Sequence, residues 1–95
     1  MSVPDIPIAL FRLGRVVATP NALEHLTAQE ITQALKRHLA ADWGEVSAED
    51  RQANDRALGE GGRLFSVYHS TTGVKFWLIS EASRARTTLL LPEDY

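Results

Sequence analysis

Residues 64–80 read LFSVYHSTTGVKFWLIS, two runs rich in β-branched and aromatic residues on either side of Thr71-Thr72-Gly73. Two such runs around a glycine-containing turn predict a β-hairpin. With a two-residue turn, one face would carry Phe65, Val67, Phe76 and Leu78, and the other Leu64, Tyr68, Trp77 and Ile79. A slip of one residue exchanges Trp77 and Ile79 with Phe76 and Leu78. Both faces are therefore predicted to be apolar, whereas a sheet with one solvated face normally alternates apolar and polar residues.

The segments on both sides of the hairpin complete an α+β pattern. Residues 13–18 and 87–91 are predicted strands. Thr19-Pro20 begins a short helix, and Thr27 to Glu30 forms a capping box ahead of a helix that continues to about residue 39. A third, mostly polar helix follows the N-cap Ser47 and continues to about Leu58. The predicted order is β-α-α-α-β-β-β, with the helices on one face of a three- to four-stranded antiparallel sheet.

The length of 95 residues fits one domain over residues 1–95, in which residues 1–12 form a flexible or packing N-terminal arm. The chain has no cysteine, and its first ten residues lack the basic and apolar regions of a signal peptide. No apolar run reaches the roughly 18 residues that a membrane span needs. We therefore expect a cytoplasmic protein that does not contact a membrane.

Acidic residues are concentrated in the middle of the chain. Residues 41–60 carry two arginines against six acidic residues, a local charge of -4 within a total of -2. Nucleic-acid-binding domains usually have clustered Lys and Arg instead, so we expect no nucleic-acid partner. An acidic run of this kind is either a solvated helix face or a docking site for a basic partner.

Candidate chemical sites lack the groups that their chemistry requires. His25, His38 and His69 have no spacing that would bring further metal ligands together. The glycines at 59, 61 and 62 follow a helix and precede a strand, the reverse of a phosphate-binding loop. A nuclease site built from His69 and Glu81 would need two groups about 15–20 Å apart along the hairpin. We expect no catalytic site, no metal site and no cofactor.

Two surfaces are predicted to bind another protein, or a second copy of this one. The first is the exposed face of the hairpin, where aromatic residues suit an interface. The second is the acidic stretch. The predicted partner-binding residues are Leu64, Tyr68, Trp77 and Ile79 on the sheet, and Asp42, Glu45, Glu49, Asp50 and Asp55 in the acidic stretch. The alternative for the sheet face is that Ile6 to Phe11 fold across it and cover it.

Residues 13–95 also resemble small uncharacterised proteins of bacterial plasmids and integrative elements. The resemblance is carried by Asp42-Trp43-Gly44, Glu49-Asp50, Asn54, Gly61-Gly62-Arg63-Leu64, Ser66, Tyr68, Gly73, Trp77, Ile79, Glu81, Arg84, Thr87-Thr88 and the closing run Leu90-Leu91-Pro92-Glu93-Asp94-Tyr95. It implies a mobile-element setting and brings no activity with it. We expect a non-enzymatic binding module that inhibits or regulates a host protein, such as a defence component. The alternative is a small ribonuclease-like toxin of a toxin–antitoxin pair, a class with a similar order of elements.

Overall fold

The computed structural model describes residues 9–95. Its elements are β1 (Arg15–Ala18), α1 (Pro20–His25), α2 (Ala28–Leu39), α3 (Ala48–Glu60), β2 (Leu64–His69), β3 (Lys75–Ser80), β4 (Arg86–Leu90) and a 3-10 turn (Pro92–Asp94). The α+β class and the order β-α-α-α-β-β-β are confirmed.

The sheet is mixed, so the prediction of a purely antiparallel sheet is wrong. Its strand order is β1-β4-β3-β2, and β2, β3 and β4 form an antiparallel meander. The edge strand β1 pairs with β4 in parallel. The three helices between β1 and β2 return the chain to the end of the sheet where β1 began, so β2 runs in the direction of β1. Because the meander gives β4 that direction too, β1 joins β4 as a parallel neighbour.

Local capping positions the helices, and the predicted caps are confirmed. The Oγ1 of Thr27 accepts the backbone N–H of Glu30 at 3.1 Å, and the Glu30 carboxylate accepts the N–H of Thr27 at 2.9 Å. Thr19 caps α1 and Ser47 caps α3 in the same way, through the N–H groups of Ala22 and Asp50. These residues satisfy N–H groups that a helix start leaves unpaired, which explains where each helix begins.

A three-residue loop sets the register of the β2–β3 hairpin. His69 pairs with Lys75 and Leu64 with Ser80. Gly73 adopts a φ of +85°, which closes the loop with little strain because glycine has no side chain. The pairing is therefore shifted by one residue from that of a two-residue turn. Leu64 and Tyr68 consequently share a face with Phe76 and Leu78, while Trp77 and Ile79 lie on the opposite face with Phe65 and Val67.

We call the face that carries Leu64, Ser66, Tyr68, Phe76, Leu78, Ser80, Thr87 and Leu89 the packed face. Its apolar centre contacts Ala22 of α1 and Ala34 of α2 in one buried cluster. A second cluster joins Ala57 of α3 with Trp43 and Leu64. Each of these helix residues is buried against side chains of the packed face, so this face carries the core.

The described part of the N-terminal arm lies on the helical side. The N–H of Leu10 donates to the carbonyl of Leu39 at 2.9 Å, and the Phe11 ring lies 5.1 Å from that of His38 and 6.4 Å from that of Trp43. The alternative that Ile6 to Phe11 cover the second sheet face is therefore wrong for Phe11. Residues 6–8 lie outside the described residues.

Candidate functional site

The second face of the sheet carries a row of aromatic side chains. We call it the aromatic face and define it by Phe65, Val67, His69, Lys75, Trp77, Ile79, Thr88 and Leu90. The Phe65 and Trp77 rings meet edge to face, with centroids 5.1 Å apart. The Tyr95 ring meets Trp77 in the same manner at 5.7 Å. The three rings form one continuous cluster across β2, β3 and the C-terminus, an arrangement that aromatic pairs prefer.

Tyr95 is the most exposed member of this cluster, with 67% of its surface accessible. Its hydroxyl accepts a hydrogen bond of 2.9 Å from Arg63, whose guanidinium also lies 5.8 Å from the ring centroid. Asp94 holds the preceding turn, because its carboxylate accepts the Thr19 hydroxyl at 2.7 Å and the Leu91 N–H at 3.0 Å. These bonds, led by that from Thr19, lower the pKa of Asp94. The closing LLPEDY run therefore places an aromatic ring on the sheet.

Basic residues surround the aromatic row. Arg63 precedes β2, Lys75 begins β3, and Arg15 lies beside Arg86 where β1 pairs with β4. All four are exposed. The only acidic partner of these four among the described residues is Glu81, whose carboxylate is 3.8 Å from Arg86. The rim of the aromatic face therefore carries four basic residues, with Glu81 beside Arg86 and Glu45 beside His69.

The structure separates the four predicted sheet residues. Leu64 is fully buried and Tyr68 is 2% exposed, so neither can contact a partner, which corrects their prediction as partner-binding residues. The physical reason is the three-residue loop, which pairs β2 and β3 so that both share a face with Phe76 and Leu78, the face that packs against the helices. The Tyr68 hydroxyl donates to the Asp42 carbonyl at 2.5 Å, and burial raises the pKa of Tyr68 to about 12. Trp77 and Ile79 are half-buried on the aromatic face.

The five predicted acidic residues are exposed, but several have local structural partners. Asp42 accepts two hydrogen bonds from Arg37, at 2.7 and 3.2 Å, and these lower the pKa of its carboxyl. The Glu45 carboxylate contacts the Nδ1 of His69. Asp55 accepts the indole N–H of Trp43 at 3.1 Å. Glu49 and Asp50 occupy the first turn of α3, where the helix dipole favours carboxylates. The acidic stretch is thus partly engaged in holding the fold.

A shallow cleft of about 270 Å³ lies between the start of this stretch and α3. It is lined by Ala41, Asp42, Trp43, Gly44, Arg51 and Asp55. Gly44 approaches β2 so closely that an added Cβ would lie 2.0 Å from the Val67 carbonyl oxygen. The glycine is therefore required by the bridge between this loop and β2. The cleft pairs one arginine with two carboxylates that already have partners, which offers no free acid or base.

A buried polar network lies on the packed face. The Nδ1 of His38 is 2.6 Å from the Ser66 hydroxyl, and the Nε2 is 2.9 Å from the Ser80 hydroxyl. Ser80 bonds to Thr87 at 2.7 Å, and the Thr87 hydroxyl donates to the Leu13 carbonyl at 2.8 Å. Because Thr87 donates to a carbonyl, Ser80 donates to Thr87 and accepts the Nε2–H of His38. Nδ1 then accepts a hydrogen bond from the Ser66 hydroxyl. The ring is therefore the neutral tautomer that carries its proton on Nε2.

This network does not provide an accessible base. His38 has no exposed surface, and burial lowers its pKa to about 4, with a smaller contribution from Arg84. Ser66, Ser80 and Thr87 are also fully buried. Sequence reasoning, which considered His38 as a metal ligand, missed its hydroxyl partners. The sequence feature that could have indicated these partners is the placement of Ser66 and Ser80 among aromatic and apolar residues of two strands.

The residues considered for nuclease chemistry lie apart. His69 pairs with Lys75 at the loop end of the hairpin, and Glu81 lies six residues beyond Lys75, roughly 20 Å along the strand. The Arg84 side chain donates to the carbonyls of Gly62 and Ala57, at 2.5 and 3.0 Å. Its donors therefore hold the loop before β2, and His69 is engaged by Glu45.

Two further observations concern the described residues. In residues 9–95, no helix combines the length and the apolar character that crossing a membrane requires. Across this part of the chain, no three His, Asp or Glu side chains converge as ligands of one metal ion would.

No protein-family model matches the chain, and comparisons with curated proteins and with solved structures also find no match.

Proposed function

We propose that this chain is a non-enzymatic protein-binding module that binds its partner through the aromatic face. The observation that carries the proposal is the cluster of Phe65, Trp77 and Tyr95 on a face separate from the helix-packed core. We further propose that all three helices cover only the packed face. Support comes from the two buried clusters, whose sheet residues Leu64, Tyr68, Phe76, Leu78 and Leu89 all lie on that face.

The composition of the aromatic face fits the energetics of protein recognition. Tyr, Trp and Arg dominate the binding energy of many interfaces, because they combine large apolar areas with fixed polar groups. Arg63 already donates a hydrogen bond to the Tyr95 hydroxyl. Both side chains are therefore partly ordered, and they lose little conformational entropy when they contact a partner. Trp77 at the centre is flanked by Val67 and Leu90, which are nearly fully buried and support the ring from beneath.

The charge of the rim indicates the chemistry of the partner. Arg15, Arg63, Lys75 and Arg86 place positive charge around the apolar centre. A partner that presents an apolar patch bordered by Asp and Glu would match this arrangement in both polarity and charge. The resemblance to plasmid and integrative-element proteins supports a host protein as this partner, inhibited or regulated by binding.

Affinity capture with matched variants tests the proposal. The tagged protein is incubated with nuclease-treated and untreated extract of its host cells, and the bound protein and RNA are identified. Tyr95→Ser and Arg63→Glu change exposed groups of the aromatic face, whereas Leu23→Ser removes an equally exposed apolar group from α1. We expect a protein that the native chain and Leu23→Ser retain and the first two variants lose. Specific capture of RNA, abolished by the same two changes, would support the toxin alternative instead.

A further inference from the structure

The two edges of the sheet differ in whether their backbone groups are paired. At the β2 edge, the Asn54 side chain donates to the Phe65 carbonyl at 2.8 Å and accepts the Phe65 N–H at 3.0 Å. The Val67 N–H donates to Trp43 at 3.0 Å, and the Val67 carbonyl accepts from Glu45 at 2.8 Å. The outward groups of both residues are therefore satisfied within the chain, so this edge is closed to strand addition.

The β1 edge has no such cover among residues 9–95. Arg15 donates its N–H to Ala85 and Thr19 donates to Leu89, both at 3.0 Å. Since alternate residues of a parallel strand face the neighbour, Val16 and Ala18 direct their N–H and C=O groups away from β4. No described strand lies beyond β1. The side chain of Val16 is 42% exposed, and β1 contains no proline or lysine that would block pairing.

We propose that two copies of this chain pair through their β1 strands, antiparallel about a two-fold axis, to form one eight-stranded sheet. The register follows from the outward groups. When the axis passes beside Val17, Val16 of one copy lies opposite Ala18 of the other, and both pairs exchange two backbone hydrogen bonds. The two Val17 residues then face each other as a non-hydrogen-bonded pair. This pairing shares only Arg15 with the rim of the aromatic face, and it does not require the partner proposed for that face.

Charge complementarity favours a second copy as the occupant of this edge. In the same register, Arg15 lies opposite Thr19 of the other copy. The Thr19 hydroxyl donates to Asp94 at 2.7 Å, so the Asp94 carboxylate of that copy comes within reach of the Arg15 guanidinium. Within one chain Arg15 lies beside Arg86, and among the described residues it forms no ion pair. Pairing the two copies would add two symmetric Arg15–Asp94 contacts. Each would reduce the repulsion between Arg15 and Arg86 within one chain.

Site-specific cross-linking tests the register. The chain has no cysteine, so Val17→Cys introduces one thiol per copy. Residues opposite each other in a non-hydrogen-bonded pair have Cα atoms about 4.5 Å apart, within the range of a disulfide. We expect Val17→Cys to form a covalent dimer under mild oxidation and the control Val16→Cys to form at least about tenfold less, because Val16 points to the other face and is displaced from its counterpart. Equal cross-linking of the two variants would overturn the register.

Analytical ultracentrifugation tests the dimer itself on the full chain. We expect a mass twice the 10.5 kDa of one chain for the native protein, and a monomer for Val16→Lys and Arg15→Glu. Lys75→Glu makes the same charge change as Arg15→Glu, but at the loop end of β3, so it should remain dimeric. Circular dichroism checks that each variant is folded. A monomeric native protein, or a dimer that persists in folded Val16→Lys and Arg15→Glu, would overturn the proposal.

Discussion

The packed face and the aromatic face of the sheet differ in the polar and aromatic groups that they bury. The packed face buries Ser66, Ser80 and Thr87 around a neutral histidine, whereas the other face leaves Trp77 and Tyr95 partly or largely exposed. The buried groups are tolerable because each has a hydrogen-bond partner. An aromatic ring near the surface buries less apolar area than one inside the core, and so it stabilises the fold less. The packed face thus carries the core, and the aromatic face is the surface that we propose for binding.

Removing His38 should have the largest effect on the packed face. His38→Ala leaves a cavity and takes away the partner of the Ser66 and Ser80 hydroxyls, so we expect a loss of about 3–5 kcal/mol in the free energy of unfolding. His25→Ala is the matched control, because His25 is exposed and bonds only to the Asn21 carbonyl at 2.8 Å. Urea denaturation measures both. A cost below about 1 kcal/mol for His38→Ala would mean that the network contributes little.

Lowering the pH should weaken the packed face next most strongly. The pKa of His38 is lowered from 6.5 to about 4, mainly by burial. Below pH 6.5 the unfolded chain binds a proton that the folded chain takes up only near pH 4. Stability is therefore complete above pH 6.5 and falls progressively toward pH 4, by about 2 kcal/mol at pH 5.

Urea denaturation at pH 7 and pH 5 measures this change. The carboxyls of Glu30, Asp42 and Asp94, whose pKa values are lowered mainly by hydrogen bonds, lose their contribution only below their ordinary values of 4.5, 3.8 and 3.8. The window between pH 6.5 and 5 therefore separates the contribution of His38 from those of these three carboxyls. Equal stability at the two pH values would contradict the buried neutral state of this histidine.

A smaller effect is expected where α2 begins beneath the packed face. Thr27→Ala removes the cap while the Glu30 carboxylate keeps its bond of 2.7 Å to the Thr71 N–H, so we expect a loss of about 1 kcal/mol. Thr32→Ala, at an exposed position inside α2, is the control and should change stability little. The two urea midpoints are compared, and coincident midpoints would argue against the cap.

The features predicted from the sequence are those that depend on neighbouring residues. Thr27 and Glu30 are three residues apart, so their capping box is visible in the sequence itself. The register of the hairpin depended on one further loop residue, which separated Leu64 and Tyr68 from Trp77 and Ile79. The parallel pairing of β1 with β4 joins residues 71 positions apart, and the contact between Thr19 and Asp94 joins residues 75 positions apart. No local pattern exists over such distances. The partners of His38 were missed for the same reason.

The two tryptophans allow the difference between the faces to be measured directly. Trp43 is 3% exposed in the core, whereas Trp77 is half-buried on the aromatic face. Trp77→Phe leaves only Trp43 as the fluorophore, and Trp43→Phe leaves only Trp77. We predict that acrylamide quenches Trp77 several-fold more strongly than Trp43 in the folded protein. Equal protection of the two tryptophans would show that the aromatic face is covered and would contradict its proposed role as the binding surface.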